Sequence, residues 1–296
     1  MYLIKYFLCF LIRFSGLSFI IRELICKNRV TIAVYHNPKP EHFKKHVDFL
    51  SKYYNFIPLS FLVGAIYRKD WADIPPKALV ITFDDGFKEN YDLLGIIKKH
   101  KINPTIFLCS HIINTNRKFW FKSGFYNYHK LKRISNSTRL KSLYEKMEFE
   151  PSKEYPTRQA MDLSEIKEMM PYVDFQSHSK FHPILIRCSD DESKEEIEDS
   201  KEFLMILLNT EVEHFSYPNG DYSAREIEYV KESGYKSART VDIGWNGINS
   251  DPYKLKAMYI DDDASTSTLS AQVLGFLGYI RYLRHGSFNG KHPPLI

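Results

Sequence analysis

Two adjacent carboxylates close an apolar run in Ala78-Leu79-Val80-Ile81-Thr82-Phe83-Asp84-Asp85-Gly86. In parallel α/β folds, ligands and catalytic groups collect at the C-terminal ends of strands. Neighbouring residues leaving a strand point in different directions, so one carboxylate can ligate a cation while the other takes a proton. A turn leading into a helix N-cap, for which Asp-Gly is common, accounts for the same residues equally well. The segment Ser177-His178-Ser179-Lys180-Phe181-His182-Pro183 tips the balance toward chemistry. Its two imidazoles, at i and i+4, share a face if the segment makes one helical turn, and Pro183 ends that turn at His182. Neutral imidazole is a preferred ligand for zinc and similar ions, and two His with one carboxylate leave positions for water and substrate. In Phe215-Ser216-Tyr217-Pro218-Asn219-Gly220-Asp221-Tyr222-Ser223 a strand ends in a Pro-Asn-Gly turn ahead of a helix. Such a turn can present backbone N–H groups to a developing oxyanion, or be simply a tight βα loop.

These segments need a scaffold that gathers strand ends. Thr31–Tyr35, Ala78–Phe83, Thr105–Cys109, Val173–Gln176, Phe215–Tyr217 and Leu255–Ile260 are short, apolar and β-branched, the pattern of strands buried on both faces. Helical patterns lie between them at Phe43–Tyr53, Tyr91–Lys99, Leu163–Met170, Glu192–Leu208 and Ala224–Glu232. The alternation predicts βα units around a mostly parallel sheet, open or closed into a barrel. The chain has 296 residues, 44% of them hydrophobic and 26% charged, which excludes disorder, collagen and coiled coil. A net charge of +5 is too mild and dispersed to argue for nucleic acid.

Two segments depart from this rhythm. Arg117 to Arg158 carries many Lys and Arg against few acids, with Trp120, Phe121, Phe125, Tyr126 and Tyr128 interleaved. It reads as a basic helical insertion, residues 111–160, that holds an acidic or lipid-linked glycan, lies on a membrane, or folds as a hairpin with its own small core. Residues 1–21, within an N-terminal segment set at residues 1–28, are strongly apolar, and along that segment Lys5, Cys9, Arg13, Gly16 and Glu23 lie on one arc with Phe7, Leu8, Leu11, Phe14 and Leu17 mostly outside it. The pattern favours a helix lying in the membrane interface. Arg13 near the bilayer centre weighs against a span, and packing on the protein's own core is the remaining reading. Cys9, Cys26, Cys109 and Cys188 are widely spaced, and no small-residue cleavage pattern follows the apolar start, so the cytoplasmic face is favoured over the outer one.

From Thr31 to about Asp263 the order and wording of these segments, with the opening Tyr35-His36, resemble the NodB-type polysaccharide deacetylases, the fourth carbohydrate esterase family. The resemblance implies a distorted (β/α) barrel of about seven units over residues 29–285, with the N-terminal helix before it and a tail at 286–296. It implies metal-dependent removal of an N-acetyl group from an amino sugar. Asp84 then matches the general base, and Asp85, His178 and His182 the ligands of a divalent metal, zinc first among them. Tyr217, Pro218 and Asn219 fall where the family lines its groove. The expected substrate is an envelope polysaccharide or its lipid-linked precursor, met at a membrane surface. Two departures stand out. The family's third motif places an Arg before the proline to orient the base, and here Ser216 and Tyr217 stand there, with Arg239 after the next strand as a candidate replacement. The late Leu-x-x-His that serves as general acid has no counterpart in Leu255–Asp263, which ends in an acidic run, and His285 lies further on in a basic tail. Protonation of the amine then falls to Asp84, to an unmatched residue such as His36, or to water. The departures leave open a non-catalytic carbohydrate-binding protein, or a deformylase of a lipid-linked amino sugar.

Overall fold

The computed structural model describes residues 2–125 and 128–278. Eight strands, β1 (Val30–Tyr35), β2 (Asn55–Phe56), β3 (Ala78–Phe83), β4 (Thr105–Leu108), β5 (Asp174–Ser177), β6 (His214–Ser216), β7 (Ser237–Arg239) and β8 (Met258–Tyr259), form one sheet. Their order is β7-β6-β5-β4-β3-β1-β8, with β2 beside β3, and every pairing is parallel. A parallel bridge between Arg239 and Leu255 ties the β7 edge to the segment that enters β8. The sheet therefore curves round on itself as a distorted (β/α) barrel. All six residues of β1 and of β3 are buried, as expected of parallel strands covered on both faces.

The helices are α1 (Tyr2–Phe14), α2 (Leu17–Ile21), α3 (Pro40–Leu50), α4 (Leu59–Arg68), α5 (Leu94–His100), α6 (Tyr128–Leu131), α7 (Asn136–Met147), α8 (Leu163–Met169), α9 (Asp190–Leu208), α10 (Ala224–Glu232) and α11 (Thr266–Val273). The major core joins Tyr35, Phe43, Leu79, Phe83, Ile106, Phe175, Phe215 and Ala238 with helix residues such as Ile166 and Ile197. A second core fills the far face of β1 and β3 with Leu62, Val63 and Ile66 of α4, a helix the apolar periodicity did not single out. Helix starts follow from their caps: Asp162 and Ser223 make reciprocal boxes with Glu165 and Glu226.

Two departures from regular βα alternation carry their own packing. The insertion folds as α6 and α7 over a small core of Trp120, Leu131, Leu143, Phe149 and Ile184. Helix α1 packs on α11 through Cys9, Ile12 and Ala271, with the Arg13 guanidinium on the Thr266 hydroxyl. So the arc bearing Cys9 and Arg13 faces the protein, while Phe7 (61%), Phe14 (62%), Phe19 (61%) and Leu24 (77%) are exposed. No described helix is long and apolar enough to cross a membrane.

Candidate active site

Asp84 and Asp85 leave the C-terminal end of β3, where the Asp84 amide still donates to the Tyr35 carbonyl (3.1 Å). The chain then turns through two left-handed residues, Asp85 (φ 74°) and Gly86 (φ 72°). A Cβ on Gly86 would lie 2.5 Å from Leu108 Cδ2, so any side chain there has to displace the end of Leu108 and adopt a positive φ that favours glycine. Both carboxylates are buried.

The two histidines do not reach the site by helical spacing. Residues 178–183 form an irregular loop after β5, and its left-handed Ser179 (φ 65°) and His182 (φ 59°) are what turn the second imidazole back toward the first. The rings meet edge to face at 4.8 Å. Proline at position 183 excludes helical angles at His182, and the loop's polar groups find partners elsewhere. Glu196 of α9 accepts from the amides of Lys180 (2.8 Å) and Phe181 (3.0 Å), Ser179 Oγ accepts from the His182 amide (3.1 Å), and the Trp120 indole donates to the His182 carbonyl (2.8 Å). Phe121 packs against the His182 ring at 4.8 Å. The insertion thus buttresses the site directly.

Ligand atoms of Asp85, His178 and His182 all lie within 4.8 Å of one another, and all three residues are buried. His182 Nε2 is 3.4 Å and His178 Nε2 3.7 Å from Asp85 Oδ1. The other nitrogen of His178 contacts the Ser216 carbonyl at 2.7 Å, which fixes the ring. Burial pushes the His178 imidazole down to about 4 and that of His182 well below its usual value, so both are neutral near pH 7, the form that binds metal. Burial and then the Asp84 charge push Asp85 well above the usual carboxylate range, and its Oδ1 has no hydrogen-bond partner. A buried, unpartnered carboxylate oxygen facing two neutral imidazoles is a donor set that can hold a divalent cation.

Asp84 has a different environment. Arg239 Nη2 lies 2.5 Å from each of its oxygens, and Arg239 also bonds the Ser216 hydroxyl, itself 3.4 Å from Asp84 Oδ1. Burial resists the charge on Asp84, but Arg239, His178 and His36 outweigh it and hold the carboxyl down to about 2. The cation missing from the third motif is therefore supplied by the end of β7. Lys132, just past α6, lies within electrostatic range of Asp85 and Asp221.

The Pro-Asn-Gly turn is present at Pro218–Gly220, with Asn219 left-handed (φ 60°) and its side-chain amide 2.5 Å from Asp221. Tyr217, expected in the groove, is instead buried: its hydroxyl donates to the Tyr253 carbonyl (3.2 Å) and its ring stacks on Tyr222. The acidic run after β8 has a structural task, since Asp262 accepts from the amides of His36 (3.2 Å) and Asn37 (2.9 Å). His285 and the tail lie outside the described residues. Trp120 and Glu196 escaped the motif reading because each acts on backbone groups of the His178–His182 loop, and Glu196, within the charged first half of α9, carries no sequence signal of that task.

Comparison with known proteins agrees with this geometry. YxkH, a polysaccharide deacetylase homologue of Bacillus subtilis (strain 168), is 22% identical over 199 residues, 67% of this chain and 56% of its own length. The structure of the Streptococcus pyogenes deacetylase PplD in complex with acetate superposes with a TM-score of 0.62 at 19% identity, covering 83% of this chain and 99% of that one. IcaB from Ammonifex degensii gives a TM-score of 0.62 at 16% identity, covering 84% and 97%. These likenesses establish the fold. The family model described as polysaccharide deacetylase matches residues 72–238, more than half of the chain and all four of Asp84, Asp85, His178 and His182, so the chain belongs to the polysaccharide deacetylase family.

Proposed function

We propose that this protein hydrolyses the N-acetyl group of an amino sugar in an envelope polysaccharide or its lipid-linked precursor. The observation that carries the reading is the buried triad of Asp85, His178 and His182 beside an Asp84 fixed by Arg239. A divalent cation held by the triad, zinc first among the candidates, supplies Lewis acidity to the amide carbonyl and to the attacking water. Asp84 accepts the proton of that water as its oxygen bonds to the carbonyl carbon. Arg239 and Ser216 aim the carboxylate at that water. The Arg239–Asp84 pair weighs against a purely carbohydrate-binding role, because a binding barrel has no need of an oriented buried base.

The test is acetate release from N-acetylglucosamine oligomers by the full chain, with metal content measured alongside. His178→Ala should lose metal and activity together, whereas Asp84→Asn should lose activity and keep metal. Unchanged turnover in Asp84→Asn sinks the reading, and formylated oligomers run in parallel identify the acyl group removed.

For location, the exposed Phe7, Phe14, Phe19 and Leu24 support contact with a membrane surface. Replacement of all four by Ser should abolish sedimentation with anionic phospholipid vesicles and leave deacetylation of soluble oligomers intact; equal sedimentation of both proteins removes the membrane contact.

A further inference from the structure

The positive charge of the chain is concentrated in the insertion. Residues 111–160 hold 11 Lys and Arg against 4 acids, while the rest of the chain, with 30 against 32, is slightly acidic. Several of these cations are engaged away from the metal triad: Arg117 pairs with Glu154 (3.4 Å), Arg158 with Glu165 and Lys141 with Glu145 (3.9 Å), and Lys118 lies over the Tyr155 ring. Lys122 and Lys132 are placed at the triad itself. Lys122 ends the short turn Trp120–Lys122, whose other side chains fasten it to the metal-site loop, the Trp120 indole on the His182 carbonyl (2.8 Å) and the Phe121 ring on the His182 ring (4.8 Å). Its Nζ lies 4.1 Å from the ring centroid of Phe87, the residue after Gly86. This exposed lysine is thus seated between the loops that carry His182 and Asp85. Lys132 follows Leu131, which is buried in the insertion's small core with Trp120. It is half-buried, and its charge acts on Asp85 and Asp221 and on His36 and His182.

Two ammonium groups at this rim work against the site as it stands. Each repels a divalent cation held by the triad, and a neutral N-acetylated sugar offers neither of them a charge to meet. An anionic group on the substrate answers both points. We propose that Lys122 and Lys132 select a substrate in which the N-acetylated sugar is joined to an oxyanion, either the carboxylate of a neighbouring uronic acid or a phosphate ester. The proposal rests on the deacetylase reading above and narrows its substrate class. The oxyanion accepts charge-assisted hydrogen bonds from the two ammonium groups while the amide of the same substrate faces the triad and Asp84. Asp221 sets the direction of approach. This carboxylate faces Lys132 and is anchored by the Asn219 amide (2.5 Å), so it repels an anion on the side of the Pro218–Gly220 turn and leaves the side of the insertion for it.

Matched pairs of probes separate charge from sugar. Oligomers alternating N-acetylglucosamine with glucuronate are set against N-acetylglucosamine oligomers of equal length, and N-acetylglucosamine 1-phosphate against the methyl glycoside of N-acetylglucosamine. Acetate release by the full-length, metal-loaded chain should favour the charged member of at least one pair by about tenfold in kcat/KM, and the preference should shrink as ionic strength rises from about 0.05 to about 0.5 M. The pair that shows it identifies carboxylate or phosphate. Lys122→Gln and Lys132→Gln, checked for equal metal content and melting temperature, should each cut the preference by about fivefold and together abolish it, whereas Lys141→Gln, at an exposed position of α7, leaves it unchanged. Calorimetric binding of the same probes to Asp84→Asn reads the selection without turnover. Equal kcat/KM and equal binding within both pairs, or a preference that survives in the double variant, overturn the proposal and leave the deacetylase reading intact. Tighter, lysine-dependent binding of a charged probe with no acetate released from any probe overturns the deacetylase reading and leaves the cationic rim. Neither binding nor turnover of any probe overturns both.

Discussion

The guanidinium of Arg239 is buried, reaches both oxygens of Asp84 and the Ser216 hydroxyl through Nη2, and donates to the Thr240 carbonyl (3.2 Å) through Nη1. Only a planar, multidentate cation fills such a place. Arg239→Met strands a buried carboxylate and should cost about 3–5 kcal/mol in urea unfolding. Arg239→Lys keeps the charge and loses the fork, so its stability loss should be smaller while kcat falls on the order of a hundredfold through misplacement of the base. Equal kcat for Arg239→Lys and wild type would show that Asp84 needs no orientation. Glu196 behaves oppositely: burial raises its carboxyl from an ordinary 4.5 to about 7 against the pull of the Phe181 amide, the Ser179 hydroxyl and the Lys180 amide. A carboxyl with a higher pKa folded than unfolded favours the fold only while protonated. Its contribution is complete below pH 4.5 and is lost as pH rises through about 7. Wild-type melting temperature should decline across that window relative to Glu196→Gln, and parallel curves for the two proteins would refute the assignment.

At the scale of elements, the strand ends were legible and the loops between them were not. The β3 strand matches its apolar run residue for residue, because a strand buried on both faces has no freedom of pattern, and the Asp84-Asp85-Gly86 turn follows from the same stretch. The i, i+4 spacing of His178 and His182 points to a pair that the fold does bring together, but not by a helical turn: the left-handed angles at Ser179 and His182 are held by contacts from Glu196 and Trp120 and by Pro183, none of which periodicity can weigh. Tyr217 is the converse, a motif position whose ring is claimed by the core because Tyr253 offers its hydroxyl a partner. Helix α4 escaped because its apolar residues are too many to trace one stripe. The tightest local constraint is Gly86, where φ is 72° and a methyl group would stand 2.5 Å from Leu108 Cδ2. A strain-free Gly→Ala change stabilises by about 0.4–1 kcal/mol, whereas Gly86→Ala, at a positive φ, should destabilise by more than about 1 kcal/mol. Leu108→Ala in the same chain removes the clashing methyl, so urea unfolding should find the double variant more stable than the two single losses added together. A double variant no better than that sum would put the whole cost in the backbone angle.

Across the whole molecule, the site draws on residues far apart in sequence: the triad comes from the ends of β3 and β5, the partner of the base from β7, the support of His182 from the insertion, and the clamp on β1 from the segment after β8. Each contribution enters at the same rim of the barrel, so occupation of the triad bears on the stability of the sheet as a whole. Asp85 is the reason. A buried carboxylate held near Asp84, with one oxygen unpartnered, weighs against the fold unless a cation neutralises it. Ligand that binds only the folded state stabilises it by about 2.7 kcal/mol at a hundred times its Kd. Exhaustive chelation should therefore lower the melting temperature by several degrees, and zinc, cobalt or nickel added back should raise it in proportion to the logarithm of free metal. His178→Ala removes a ligand without touching Asp85 and should melt at one temperature whatever the metal concentration. If the wild-type chain also melts identically with and without metal, the cluster is a set of neutral, hydrogen-bonded side chains and holds no ion.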